Sequence, residues 1–274
     1  MSKLDNLLWQ RGVMAIINAT PDSFYAASRT QTCKAVAERA AQALCEGAVM
    51  LDIGGYSSRP DASDVEAEEE WQRVRMAVAA VREVSSDVAI SIDTFRAEVV
   101  RRVTDSYGEV IVNDIMAGRG DDDMLAVVAE RKLPYIAMHM RGTPQTMQSL
   151  ADYEDVVSEV AGELRERLAA LEKAGVERCR VALDAGFGFA KSVEHNFELL
   201  KGLHRLKALG QPLLVGVSRK SMIYKTLGIT PDEALPATQA VHWEALRQGA
   251  ALLRVHDVAE ACRVVKLYEK FEKL

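Results

Sequence analysis

Little in this sequence would tie it to a membrane, to nucleic acid or to an oxidising compartment. Its apolar residues nowhere run to the ~20 that a membrane-spanning helix needs. Residues Met1 to Arg11 carry charges where a signal peptide would have its apolar core. The formal net charge is −6, so the overall field gathers neither polyanions nor anionic lipid. The four cysteines, Cys33, Cys45, Cys179 and Cys262, are scattered without a C-x-x-C pair, and the expectation is reduced, mostly buried thiols in a cytoplasmic protein. Also missing are a Walker loop, a dinucleotide-binding G-x-G-x-x-G and a Ser-His-Asp arrangement. No low-complexity linker or shift of composition divides the chain. Its 274 residues, 49% of them hydrophobic, suffice for one large core, so a single domain over 1–274 is expected.

What is present is a repeated alternation. Short apolar runs, from Val13 to Ala19 through Leu252 to Val255, are each followed by a segment with helical spacing of its apolar residues. Trp71, Val74, Val78 and Val81 mark one such face, and Val36, Ala40, Ala43 and Leu44 another. Eight strand-then-helix units can be counted. Continuous apolar strands suit a parallel sheet buried on both faces, and eight units in a chain of this length predict a closed (β/α)8 TIM barrel. The acidic run Glu66, Glu68, Glu69 and Glu70 reads as the first turns of a helix.

Polar residues terminate the strands: Asn18, Asp93, Asn113 with Asp114, His139, Asp184, the segment Ser218-Arg219-Lys220, and Arg254 with His256 and Asp257. In a barrel those ends converge on one mouth. Asp122 and Asp257 read as helix N-caps, and His195, His204 and His242 as surface or packing residues. The remaining set suits a ligand with two unlike ends. Asp and Asn offer acceptors and donors to the edge of a flat heterocycle, while Arg, Lys and Ser suit phosphate oxygens. Gly54-Gly55 and Gly186-x-Gly188 let backbone approach a ligand closely.

In eight separated motifs the chain resembles the dihydropteroate synthase family of pterin-binding barrels. They are Asn18-Ala19-Thr20-Pro21-Asp22-Ser23-Phe24, Asp52-Ile53-Gly54-Gly55 with Ser57-Ser58-Arg59-Pro60, Ser91-Ile92-Asp93-Thr94, Val112-Asn113-Asp114-Ile115, Met138-His139-Met140-Arg141, Asp184-x-Gly186-x-Gly188-Phe189-x-Lys191, Ser218-Arg219-Lys220-Ser221 and Arg254-Val255-His256-Asp257. The resemblance implies the condensation of a pterin pyrophosphate with p-aminobenzoate in folate synthesis, with sulfonamides as inhibitors. It implies that Asp93, Asn113, Met138, Asp184 and Lys220 hold the pterin, and that Asn18, Ser58, Arg59, Arg254 and His256 hold the pyrophosphate. Pro60, Phe189, Lys220 and Ser221 would receive p-aminobenzoate, and Asn18 would help bind Mg²⁺. The catalytic set it implies is Asp22, Asp93, Asp184, Lys220, Arg254 and His256. It also implies a homodimer through the late helices, where Leu267, Tyr268 and Phe271 would serve.

The chain departs from the commoner family pattern at Tyr25-Ala26-Ala27, Tyr56, Ser58, Asp61 and Ala185. Two other readings are a pterin-dependent methyltransferase, which needs no pyrophosphate clamp, and a non-catalytic pterin-binding paralogue.

Overall fold

The computed structural model describes residues 2–19, 29–56 and 65–273, with backbone alone for 29–32. Eight parallel strands pair in chain order: β1 (Gly12–Asn18), β2 (Met50–Gly54), β3 (Ala89–Asp93), β4 (Ile111–Asp114), β5 (Tyr135–Met138), β6 (Val181–Asp184), β7 (Leu213–Val215) and β8 (Leu252–Val255). β8 returns to pair with β1, which closes the barrel. The helices that follow are α2 (Arg29–Glu46), α3 (Ala67–Val84), α4 (Ala97–Tyr107), α5 (Met124–Glu130), α6 (Val156–Lys173), α7 (Val193–Lys201), α8 (Ser221–Leu227) with α9 (Leu235–Arg247), and α10 (Val258–Glu272). The expected (β/α)8 TIM barrel is the observed fold.

Successive side chains on a strand point to opposite faces, so each apolar strand feeds two cores. The outward set, including Val13, Ile17, Leu51, Ile53, Val112 and Leu253, packs against the helices. The inward set at the foot of the barrel comprises Met14, Met50, Ala89, Ile111, Ile136, Ala182, Leu214 and Leu252. A helix that the periodicity does not reveal, α1 (Lys3–Trp9), inserts Leu4 and Leu8 into this inner cluster and seals the foot. It is only 7 residues long, but Ser2 and Asp5 form a capping box that satisfies its first N–H groups. With one end plugged by apolar side chains, ligand access falls to the other.

Boundaries differ from the periodicity in two places. The seventh strand ends at Val215, before the expected Val217, and Gly216 lies where an added Cβ would be 4.0 Å from the Lys220 ammonium. The helix expected to reach Leu203 stops at Lys201, with Gly202 as its C-cap, and continues as a 3₁₀ helix over Leu203–Leu209. Burial of the thiols also needs correction. Cys262 alone is buried, Cys33 and Cys179 are partly so, and Cys45 is exposed.

Candidate active site

Register and side-chain parity together assemble the mouth. Asn18 pairs with Gly54, Gly54 with Asp93, and Asp93 with Asn113, so one arc of the rim carries four successive candidate positions. Met138 pairs with Asp184 across the opposite arc. One inward position deeper lie Asp52 on β2 and Ser91 on β3, both fully buried.

Arg254 reaches across this cup from β8. Its Nε donates to Asp52 Oδ2 at 2.6 Å and its Nη2 to Asp93 Oδ2 at 2.7 Å. Asn113 Nδ2 donates to the same Asp52 oxygen at 3.2 Å. Burial works against the guanidinium charge, but Asp52 and Asp93 outweigh it and hold the Arg254 pKa above its ordinary value. Among the described residues, Asp52 Oδ1 and Ser91 Oγ are buried without a hydrogen-bond partner. Asp52 was not among the residues the motifs single out for a role. Its one sequence signal is a carboxylate at the inward position of an otherwise apolar strand.

The opposing wall is built by the loop between β6 and α7. Gly186, at φ +68°, donates its N–H to Asp184 Oδ1 at 2.7 Å and so fixes that carboxylate. Lys220 arches over the same loop, donating to the Phe187 carbonyl, with its Nζ 4.9 Å from the Phe189 ring centroid. Ile115, Met138, Met140, Met147 and Ala190, with Phe95, Met116 and Phe189 beside them, give an apolar side against which a flat ring can lie. The mouth thus holds three carboxyl groups, Asp52, Asp93 and Asp184, against two cations, Arg254 and Lys220. Burial raises Asp93, although Arg254 opposes the rise, and raises Asp184 as well. Burial likewise lowers the Lys220 ammonium to about 8. Asp184 thus offers acceptors to donors on a ligand, while Arg254 and Lys220 offer donors to an anionic group.

A family model described as pterin binding enzyme matches residues 14–256 of this chain, which include every mouth residue from Asn18 to His256. The dihydropteroate synthase of Escherichia coli (strain K12) is 40% identical over 257 residues, covering 94% of this chain and 90% of that protein. The Xanthomonas albilineans dihydropteroate synthase solved with 4-aminobenzoic acid superposes with a TM-score of 0.88 at 38% identity, over 97% of this chain and 95% of that one. The Yersinia pestis dihydropteroate synthase in its sulfonamide drug complex gives a TM-score of 0.90 at 34% identity, over 97% and 96% of the two chains. The chain belongs to the pterin binding enzyme family.

The remaining positions that the motif resemblance implies for the site fall as follows. His256 stands exposed just beyond β8, its Nδ1 3.3 Å from Ser218 Oγ. Ser221 is the first residue of α8, beside Lys220. Asn18 is exposed at the end of β1. Asp22, Ser58, Arg59 and Pro60 lie outside the described residues. Tyr56, where the family commonly carries an acidic residue, packs edge-on against Phe95 with centroids 5.2 Å apart and accepts a hydrogen bond from Gln145 Nε2 at 3.1 Å.

Several strand-end polar residues turn out to be scaffolding. Asp114 is the outward neighbour of Asn113, and it accepts from Tyr135 Oη at 2.6 Å and from the N–H groups of Met116 and Gly118, each at 2.8 Å. Arg219 is held away from the cup by Asp257 through two contacts of 2.8 Å. Asp257 thus spends its side chain on that pair and makes no N-cap hydrogen bond. The residue preceding α5 is Asp123, not Asp122. His242 is fully buried and packs within α9, whereas His195 completes the capping box of α7. Glu70, in the acidic first turn of α3, is buried against Arg96.

Proposed function

We propose that this barrel, one domain spanning the chain, is a dihydropteroate synthase. It would join 6-hydroxymethyl-7,8-dihydropterin pyrophosphate to p-aminobenzoate, yielding 7,8-dihydropteroate and pyrophosphate in folate biosynthesis. The observation that carries this reading is a single cup where an anchored guanidinium, Arg254, faces a loop-fixed carboxyl group, Asp184, beside an apolar wall. In it the amino-pyrimidine edge of the pterin would meet Asp184, with Asp93 and Asn113 along the other edge and Met138 on the ring face. Asn18, Arg254 and His256 would hold the pyrophosphate, joined by Ser58 and Arg59. Phe189, Pro60 and the stem of Lys220 would flank p-aminobenzoate, and Ser221 would receive its carboxylate.

In the reaction the bond from the pterin methylene to the pyrophosphate oxygen breaks, and its electron pair leaves with the oxygen. Arg254, His256 and Lys220 stabilise that developing negative charge. Positive charge left on the pterin lies between Asp93 and Asp184, with Asp22 on the first loop adding to the field. The arylamine nitrogen then bonds to the methylene carbon and releases one proton, so no strongly basic side chain is required.

Asn18 presents one neutral oxygen donor, and among the described residues no group of three or more His, Cys, Asp or Glu could hold a metal. That donor set fits Mg²⁺, which takes most of its ligands from substrate phosphates and water. When bound, the ion would neutralise charge on the pyrophosphate.

Among the described residues no helix is long and apolar enough to cross a membrane. We place a homodimer contact on α10, where Leu267 and Phe271 are 63% and 61% exposed. Tyr268 is not part of that surface, since it is buried under the Arg11 guanidinium.

A coupled assay tests the reading. Purified protein with both substrates and Mg²⁺ should release pyrophosphate only when p-aminobenzoate is present, and a sulfonamide should suppress the release. Pterin binding without turnover would select the non-catalytic paralogue instead.

A further inference from the structure

Behind the Asp184 loop lies a buried cation that the proposed reaction does not use. Lys191 is 4% exposed, and its Nζ contacts His139 Nδ1 at 2.9 Å and the carbonyl oxygens of Gly186 and Phe189, each at 3.0 Å. Three acceptors use all three ammonium protons. Burial lowers the Lys191 pKa to about 7; below that pH the ammonium donates to an unprotonated His139 Nδ1, whose ring presents Nε2 to Glu163 Oε2 at 3.2 Å. Burial first, and then the Lys191 charge, lower the His139 pKa to about 4, in keeping with a neutral ring. Glu163 in turn binds Arg141 at 2.7 Å, so charges alternate from the loop outward to α6.

The loop needs such a brace. Gly186, Gly188 and Ala190 all take left-handed conformations, at φ +68°, +82° and +50°, within five residues. That path turns the Gly186 and Phe189 carbonyls inward, where burial without a donor is costly. Asn196 Oδ1 secures only the outer edge, through the Gly188 N–H at 2.7 Å. The Gly186 carbonyl also accepts from the Phe189 N–H at 3.1 Å within the turn, and among the described residues the ammonium is what links both bracketing carbonyls to His139 at the end of β5. The same turn aims the Gly186 N–H at Asp184 and sets the Phe189 ring beneath Lys220.

We infer that Lys191 is a positioning residue: its ammonium, seated between His139 and two loop carbonyls, holds Asp184 and Phe189 in the geometry that receives the pterin and the arylamine. The inference takes its ligands from the reading above, but it acts on one half of the cup alone. Arg254 is anchored independently by Asp52 and Asp93.

Calorimetric titration with a free pterin and, separately, with inorganic pyrophosphate exploits that independence. Lys191→Met keeps the stem and removes the donors. It should weaken pterin binding about tenfold while pyrophosphate binding stays within about twofold of wild type. Lys191→Gln, whose amide offers two N–H donors to the two carbonyls, should recover pterin affinity to within about threefold of wild type. Equal weakening of both ligands, or unchanged pterin affinity in Lys191→Met, would overturn the inference. If Lys191→Met does not fold, Lys191→Gln decides: pterin affinity within about threefold of wild type with intact pyrophosphate binding supports the brace, and a larger loss of pterin affinity, or weakening of both ligands alike, refutes it. Turnover of the wild type is measured in parallel. Its absence would remove the proposed reaction while the binding ratio still judges Lys191.

Discussion

Arg254 illustrates how much depends on the geometry of one side chain. Its planar fork meets two carboxylates through separate N–H donors held in fixed geometry, and the two contacts leave the guanidinium fixed before any ligand arrives. A fixed cation stabilises departing negative charge without reorganising during the reaction. At this scale the two halves of the cup separate experimentally. Asp184→Ala should cost about 2–4 kcal/mol of pterin binding, because buried donors on the ligand lose their acceptor. Arg254→Ala should weaken pyrophosphate binding and leave free pterin binding largely intact. Equilibrium titration with each ligand checks both, and near-normal turnover in both variants would mean the pocket is assigned to the wrong residues.

Among the elements, the least conspicuous matters most for access. α1 contributes Leu8, fully buried, to the inner cluster at the foot, on the opposite end from the mouth. Truncating a buried leucine leaves a cavity, so Leu8→Ala should lower stability by about 2–5 kcal/mol. KM for both substrates should nevertheless stay near wild type, since Leu8 enters at the foot of the barrel and the mouth lies at the other end. Chemical unfolding and steady-state kinetics on the same preparation test the claim, and a large rise in KM with unchanged stability would contradict it. The β6–α7 loop shows the converse. A Cβ on Gly186 would fall 1.9 Å from the His139 carbonyl oxygen, so Gly186→Ala must move the loop and should impair pterin binding more than pyrophosphate binding. Paired titrations with those two ligands are the measurement.

Across the whole molecule, the mouth and the surrounding scaffold respond to pH in different ranges. Burial lowers Lys220 to about 8, so its ammonium is charged below that pH and is lost above it. kcat/KM for the pterin pyrophosphate, which reports the free enzyme, should therefore fall above about pH 8. Lys220→Arg should lose that alkaline limb even if its rate is lower. A profile flat to about pH 10 in the wild type would exclude the assignment. Glu163 behaves oppositely. Burial alone would raise it, but His139 and Arg141 bring its pKa down from an ordinary 4.5 to about 2. Its contribution to stability is present above about pH 4.5 and drains away as the pH falls toward 2. Thermal unfolding across that window should show the loss, and Glu163→Gln should reduce it.

These scales also divide what was legible before folding from what was not. Alternating apolar runs and helical faces carry their own periods along the chain, so the barrel and its ring of polar strand ends could be read directly. The motif resemblance then pointed to Asn18, Asp93, Asn113, Met138, Asp184, Lys220, Arg254 and His256, and the fold brings all of them to one end. Adjacent residues of like chemistry were less tractable. Asn113 and Asp114 differ only in which face of β4 they occupy, and Arg219 and Lys220 only in which way a turn directs them. Helix α1 leaves no such signal, because a short charged segment shows too little period to mark a face.

Architecture and rim are encoded locally, because hydrophobic period is a property that neighbouring residues express without help from distant ones. Only the tertiary structure decided that Asp52 would grip Arg254, 202 positions away, and that Lys191 would brace the Asp184 loop against His139. Those pairings depend on ring closure and strand register, which no stretch of chain contains on its own.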